Sequence, residues 1–411
     1  MTAMEVASEA NALSLALAVD LNGFVAHSMP DLFLLRPAPV VVADQGFPST
    51  HGGIADYFHG HKVGSPPEYA SFYSEKLVLL PHFANPLNNH WRLFGDMRRR
   101  RGTQEYRNEM KQKRGSIFGR VINSADSDVY CRSHPFAYEE ENESNEEFLP
   151  SSSRTYLHRT QEDRCRIVYA VFHNPYKVDN LTVGMWSDIL QHDRRSSLWL
   201  LKWTDSEKAS VRALSKSGAS TSQLLITPHL ARASHLEDKA VADMFLDSHA
   251  YNAHGTCSEA LWSEIPVVTL PGLLYSQRVC AMLITSYLDG IVEEEGKQKH
   301  TCSEAGLVAR SAFDYRYLAK SPYFDQDRLL HIRYCLRRYA ASSPIFDIRL
   351  FSCHFFRAFR LEVEVATIGE SRMESGEADT NAKRERCERK RLGHTLSPIR
   401  NCLYHVVVVP C

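Results

Sequence analysis

The 411-residue chain has almost no net charge: 48 Lys and Arg against 49 Asp and Glu leave −1 at pH 7. That absence removes the electrostatic case for nucleic acid or an anionic membrane as partner, so any bound anion needs a local device. No run approaches the ~20 apolar residues of a membrane span. Leu13 to Val19, LSLALAV, is short, follows Glu5 and Glu9 and lacks the basic flank of a signal peptide. The ten cysteines are scattered, with no CxxC pair and no zinc spacing, and read as ordinary thiols of a reducing compartment, the cytoplasm or nucleus. No GxxxxGK[ST] loop and no GxGxxG occurs, which argues against an ATPase or an NAD enzyme. GFPSTHG (Gly46 to Gly52) has a serine but not the GxSxG elbow of a hydrolase. There is no internal repeat.

What is present is a chain 44% hydrophobic, ample for globular cores. To about residue 96, LALAVDLNGF, RPAPVVVADQGFP and YSEKLVLLPH are strand-like runs closed by Gly or Pro, part of an α/β lobe. Residues 97–164 carry RRRR, EEENESNEE and SSSR and read as a disordered charged insertion. The basic run reads as a solvated loop in preference to a nuclear localisation signal. From Cys165 to about residue 365 strands and helices alternate: RIVYAVF, then VDNLTVGMWSDILQH, SSLWLLKW, EKASVRALSKSG and QLLITP. Short links between such elements imply a parallel sheet covered by helices, a Rossmann-like lobe. Residues 366–411 read as a disordered tail whose apolar end, HVVVVPC, has no evident partner.

Within the second lobe, ADMFLD reads as a buried strand and CSEALWSE as a helix, with NAHGT (Asn252 to Thr256) at the junction. HNPYK (His173 to Lys177) leaves an earlier strand in the same way. Parallel sheets bind ligands at the carboxyl ends of strands, and a helix N-terminus offers unpaired amides and about half a positive charge. Gly255 would admit a close backbone approach, Thr256 a hydroxyl and Lys177 a point charge, together a diphosphate clamp that needs no metal. Taken singly each residue has a plainer reading: His254 as a cap or core hydrogen-bonder, Thr256 as an N-cap, Gly255 as a turn residue, Lys177 as a solvated cation and Tyr176 as packing.

VFHNPYKVDNLTVGMWSDIL, SSLWLLKW, HLEDKAVADMFLDSHAYNAHGTCSEALWSEIPVVTLPG, SQRV and SSPIF, with DLNGFVAHSMPDLFLLRPAPV, GFPSTHG and YSEKLVLLPH before them, resemble in order and spacing the protein O-linked N-acetylglucosamine transferase family, which also contains the SPINDLY proteins. The resemblance implies an α/β, GT-B-like fold of two Rossmann-like lobes with the nucleotide sugar between them, the N-terminal lobe being incomplete. It implies a metal-independent glycosyltransferase, with no cofactor, that moves N-acetylglucosamine from UDP-GlcNAc to Ser/Thr hydroxyls of intracellular proteins, with neither nucleic acid nor membrane as partner. Lys177 and His254 are the expected catalytic residues, Lys177 neutralising the leaving diphosphate. Gly255 and Thr256 complete the turn at the diphosphate, and Glu259 falls where an aspartate holds the ribose hydroxyls. His235 resembles a histidine near the uracil and Arg232 a nearby lysine. Asn174 stands where a glutamine approaches the nucleotide, Tyr176 belongs to the same Tyr-Lys pair, and Gly46 resembles the glycine facing the sugar. The sequence departs from the family with Gly255 for Thr, Glu259 for Asp and Asn174 for Gln, and begins inside the N-terminal lobe. Two other readings stay open: a non-catalytic nucleotide-sugar-binding remnant, and a SPINDLY-like O-fucosyltransferase using GDP-fucose.

Overall fold

The computed structural model describes residues 1–82 apart from 45, 47 and 48, isolated positions between 95 and 112, and residues 167–202, 207–228, 231–289, 307–323, 326–340, 342–374 and 407–409. In chain order the elements begin with α1 (Ala3–Ala12), β1 (Leu17–Asp20), α2 (Pro30–Leu34), β2 (Val40–Ala43), β3 (Tyr57–Gly60) and β4 (Lys76–Leu79). There follow β5 (Val168–Val171), α3 (Asn180–His192), β6 (Ser197–Leu201), α4 (Glu207–Lys216), β7 (Leu224–Thr227), α5 (Arg232–Lys239), β8 (Met244–Leu246), α6 (Gly255–Trp262) and β9 (Val267–Thr269). The last are α7 (Val279–Leu288), β10 (Leu307–Val308), α8 (Ala312–Lys320), α9 (Gln326–Tyr339), α10 (Ile348–Glu374) and β11 (Val407–Val409).

These form two compact units, and each is discontinuous in sequence. The first comprises residues 1–88, 273–289 and 342–411, the second residues 89–272 and 290–341. The continuous boundaries expected from composition, 1–96 and 165–365, are corrected accordingly: the segments holding α7 and α10 pack into the first unit. Composition could not show this, because α7 follows β9 with only a short link.

The first unit is a parallel sheet in the order β1-β2-β3-β4, extended by β11 running antiparallel beside β4, with Val407 opposite Leu79. β2 is apolar and wholly buried, and β3 and the last three residues of β4 are buried as well, as suits a sheet covered by helices. Val40, Val42, Tyr57, Val78 and Leu80 pack with Ala358 of α10, and Phe355, Phe359 and Val363 join them. The apolar stripe at 355, 358, 359 and 363 repeats at helical spacing, which is why α10 lies along the sheet. The expected disordered tail therefore needs correction at both ends: residue 366 lies inside α10, which continues to Glu374, and the apolar ending pairs with β4. Residues 375–406 lie outside the described set.

Polar groups in this unit are buried in pairs. His59 is fully buried; its Nδ1 donates to Asp44 at 3.2 Å and its Nε2 to Glu362 at 2.7 Å. Burial alone would depress this imidazole, but the two carboxylates outweigh it and hold the pKa at about 9. Gly46 sits where the loops after β1 and β2 meet, and a Cβ there would fall on the Leu21 carbonyl oxygen.

The second unit is a sheet in the order β10-β9-β8-β5-β6-β7, parallel throughout. By order of appearance this is 6-5-4-1-2-3, the doubly wound Rossmann arrangement, and the winding reverses between β5 and β8. β5 and β6 are buried along their whole length and lie in the middle of the sheet. Asp179 caps α3 by accepting from the Thr182 amide at 2.9 Å, and Trp186 of α3 donates to the Tyr315 hydroxyl of α8 at 3.2 Å.

Most of the expected insertion, residues 113–164, lies outside the described set. At the isolated positions before it, Arg100, Glu105, Tyr106, Asn108 and Glu109 are helical. Tyr106 is buried, and Arg100 reaches Glu109 at 3.1 Å and Glu237 at 3.9 Å. The insertion is thus not unstructured at its start: one aromatic ring is buried there and one arginine is paired. The cysteine reading is corrected as well, since Cys257, Cys280, Cys335 and Cys353 are disulfide-bonded. Their positions along the chain gave no sign of it, because the approach of these residues is tertiary.

Candidate functional site

Two loops of the second unit flank the point where the winding reverses. One leaves β5 and carries His173 to Lys177; the other leaves β8 and runs from Asp247 to the first turn of α6. At such a point adjacent loops diverge to opposite faces of the sheet and leave a crevice at the carboxyl edge.

Asp247, the residue after β8, organises both loops. One carboxylate oxygen accepts from His173 Nε2 at 2.9 Å and from the amides of Ser248 at 2.9 Å and Ala253 at 2.7 Å. The other accepts from the Thr269 hydroxyl at 2.6 Å, and the Asp247 carbonyl accepts from the Tyr315 hydroxyl at 2.7 Å. Because a carboxylate only accepts, His173 carries its proton on Nε2. Burial pushes the His173 imidazole below its ordinary pKa against the pull of Asp247, so it is a neutral donor. The 248–253 loop is thereby bent around one buried carboxylate and delivers the start of α6 to the edge of the sheet.

At that start, His254 is the N-cap residue, with φ −104° and ψ −94°, and its side chain does not cap the helix. Its carbonyl takes the amides of Cys257 at 3.0 Å and Ser258 at 3.2 Å. Gly255 and Thr256 occupy the first two helical positions, whose amides have no carbonyl one turn back within the helix. The plainer reading of Thr256 as the N-cap is therefore replaced. A Cβ at Gly255 would meet nothing within 4 Å.

Lys177 closes a short 3₁₀ turn, Pro175–Lys177, and its Nζ donates to the Asn252 carbonyl at 3.1 Å. The same ammonium lies 4.1 Å from the centre of the Tyr251 ring, and that ring stacks on His254 at 4.8 Å. Lys177 and His254 thus share one crevice, joined through Tyr251. Burial lowers the Lys177 pKa to about 8, opposed by the nearby Asp247 carboxylate.

The other expected residues divide. Asn174 caps the 3₁₀ turn, its side chain accepting from the Tyr176 amide at 3.5 Å, and Tyr176 itself is 74% exposed. His235 meets Phe172 edge to face, with ring centres 5.1 Å apart. Glu259 pairs with Lys239, whose ammonium also lies 5.4 Å from the Phe172 ring centre. Arg232 opens α5, and its side chain lies outside the described set. Gly46 belongs to the first unit. Sequence reasoning missed Asp247, Tyr251 and Lys239 here, and named His173 and Asn252 only as the first residues of the two loops. An acidic residue closing the apolar run ADMFL was a signal for the first; the rest are recognisable only through their partners. Among the described residues no cluster of His, Cys, Asp and Glu is arranged to hold a metal ion, and no helix is long and apolar enough to cross a membrane.

A profile of glycosyl transferase family 41 matches residues 3–147 and 140–355. The probable UDP-N-acetylglucosamine–peptide N-acetylglucosaminyltransferase SEC of Arabidopsis thaliana is 24% identical over 349 residues, which cover 84% of this chain and 29% of that protein. The UDP-N-acetylglucosamine–peptide N-acetylglucosaminyltransferase of Caenorhabditis elegans is 24% identical over 398 residues, covering 82% of this chain and 33% of its own. The chain therefore spans about a third of the length of these relatives. Among solved structures, a mutant O-GlcNAc transferase of Thermobaculum terrenum aligns with a TM-score of 0.63 at 21% identity, over 89% of this chain and 56% of that one. This likeness is one of fold, and it bears out the α/β, GT-B-like class expected from the sequence.

Proposed function

The chain belongs to glycosyl transferase family 41, and from that premise we propose that it moves N-acetylglucosamine from UDP-GlcNAc to Ser/Thr hydroxyls of proteins without a metal. The observation that carries this reading is the convergence of Lys177 and the first turn of α6 at the reversal point of a Rossmann-type sheet, through the Lys177–Asn252 bond and the shared Tyr251 ring. A diphosphate there receives the amides of Gly255 and Thr256, the positive end of the helix and the ammonium of Lys177. As the bond between the anomeric carbon and the β-phosphate oxygen breaks, negative charge grows on UDP, and these fixed donors stabilise the transition state more than the ground state.

Protonated Lys177 is the better partner for that charge, and its pKa of about 8 keeps most of it protonated at neutral pH. His254, held against Tyr251, supplies a further donor beside the diphosphate. In this reading the acceptors are proteins of the cytoplasm or nucleus, and the names of the relatives support the donor. The experiment is incubation of the purified chain with radiolabelled UDP-GlcNAc and a protein acceptor in excess chelator, beside thermal shifts with UDP and GDP. Label in protein together with stabilisation by UDP is the expected result. UDP binding without transfer, or stabilisation by GDP alone, overturns the proposal in favour of a binding protein or a fucosyltransferase.

A further inference from the structure

Lys239 is the most deeply buried lysine or arginine among the described residues of the second unit, its side chain 1% exposed, and it is paired with Glu259. A buried ion pair adds little net stability against hydrophobic residues of similar volume, because both charges lose hydration. The two helices it joins are in any case held by another contact, the Ser263 hydroxyl donating to the Leu236 carbonyl at 3.0 Å. The pair is also placed where a ligand would be expected. Phe172, 5.4 Å from the ammonium, is the residue immediately after β5 and so lies at the carboxyl edge beside the reversal point. Its ring meets both His235 and Trp199 edge to face. Glu259 follows Gly255 by four residues, which puts both on one face of α6 about 6 Å apart along the axis. That displacement is comparable with the step from a phosphate bound at the helix start to the ribose of the same nucleotide. In doubly wound folds an acidic side chain commonly accepts from ribose hydroxyls.

We infer that Lys239 is a positioning residue that holds the Glu259 carboxylate in the orientation in which it accepts from the ribose hydroxyls of the donor nucleotide. This rests on the nucleotide-sugar reading above and adds to it the residue that fixes ribose recognition. Glutamate has one more rotatable bond than aspartate, and an ammonium on one carboxylate oxygen removes that freedom before the nucleotide arrives. A carboxylate offers about four lone-pair directions, so it accepts from Lys239 and from a sugar hydroxyl together. The Phe172 ring on the ammonium's other contact keeps it from swinging into solvent.

The test is calorimetric titration of the full chain with UDP and with 2′,3′-dideoxy-UDP. Wild type should prefer UDP by roughly tenfold or more, the scale of one charge-assisted hydrogen bond. Lys239→Met should bring the two affinities close together mainly by weakening UDP, Lys239→Arg should keep most of the preference, and Glu259→Gln should erase it. Should Lys239→Met fail to fold, Lys239→Gln, which keeps a polar group in the pocket without the ammonium, is titrated instead, with an expected preference between those of wild type and Glu259→Gln. A preference that survives loss of Lys239, or equal weakening of both ligands with a lower melting temperature, overturns the inference and makes the pair a structural tie. If wild type binds neither nucleotide, the nucleotide-sugar reading itself falls; if it binds both equally, only the role of Glu259 and Lys239 falls.

Discussion

The two units bury charge in different ways. In the first, His59 is enclosed between Asp44 and Glu362, partners 15 and 303 residues away, and the triad fastens α10 to the sheet. In the second, Asp247 takes remote side chains too, His173, Thr269 and Tyr315, but it also takes the amides of Ser248 and Ala253 in the loop that follows it, and that loop ends at the start of α6 beside Lys177. Both networks tie remote segments of chain together; the second also bends a loop around its carboxylate. The same elementary rule, that a buried carboxylate must be matched by donors, therefore produces an anchor in one place and a presented surface in the other.

If the second network serves a reaction, its most exposed consequence is Lys177. Replacing it with alanine should lower kcat for transfer by at least about a hundredfold, the usual cost of removing a donor aimed at developing charge, while leaving the melting temperature within a few degrees. Steady-state kinetics with UDP-GlcNAc measures this, and a variant with unchanged kcat would separate the lysine from the chemistry. Asp247→Ala tests the shaping role. It leaves His173, Thr269 and the amides of Ser248 and Ala253 without their acceptor, so it should lower unfolding free energy by about 3 kcal/mol and weaken UDP binding by loosening the 248–253 loop. Urea denaturation and calorimetry read the two effects; a loss of stability with unchanged UDP affinity would show that the loop does not present the ligand.

The anchor in the first unit makes a pH-dependent prediction. The His59 pKa rises from 6.5 unfolded to about 9 folded. The extra stability is therefore fully present below pH 6.5 and disappears as pH climbs through about 9, with a total on the order of 3 kcal/mol. Denaturation curves across that window should show the fall, and Glu362→Gln should flatten it by removing one of the two carboxylates. A slope unchanged by that substitution would mean that His59 does not carry the charge.

Most of the strands and helices from Ile167 to Thr269 were legible as short apolar strands and amphipathic helices between turn residues; α5, polar along RASHLEDK, was not. The junction at NAHGT was legible for the same reason, and so was the nearness of Lys177 to it, since both lie just after strands. What could not be read were contacts that depend on tertiary approach: Glu362 with His59, Lys239 with Glu259, His173 with Asp247, and β11 with β4. Tyr57–Gly60 was not read as a strand because FHG mixes a polar ring and glycine into a run that the fold buries only through Glu362 and Asp44. Nor could the sequence show that the side-chain oxygen of Asn174 accepts from the Tyr176 amide of its own turn.

The smallest effect is also the one that most directly questions the presented surface. Gly255 stands at the first helical position of α6, where an added Cβ would meet no atom within 4 Å. Gly255→Thr should fold normally and gain slightly in helix propensity, by a few tenths of a kcal/mol. Its hydroxyl would lie beside the amides that face the crevice, where it could donate to a phosphate oxygen. One further donor to a charged group is worth about 1.5 kcal/mol when well aligned and less when the group stays hydrated, so UDP should bind about threefold to tenfold more tightly. An isosteric control, Gly255→Val, adds the bulk without the hydroxyl and should bind no better than wild type. Tighter binding by both variants would assign the gain to a stiffer helix start, and tighter binding by neither would place the diphosphate away from the first turn of α6.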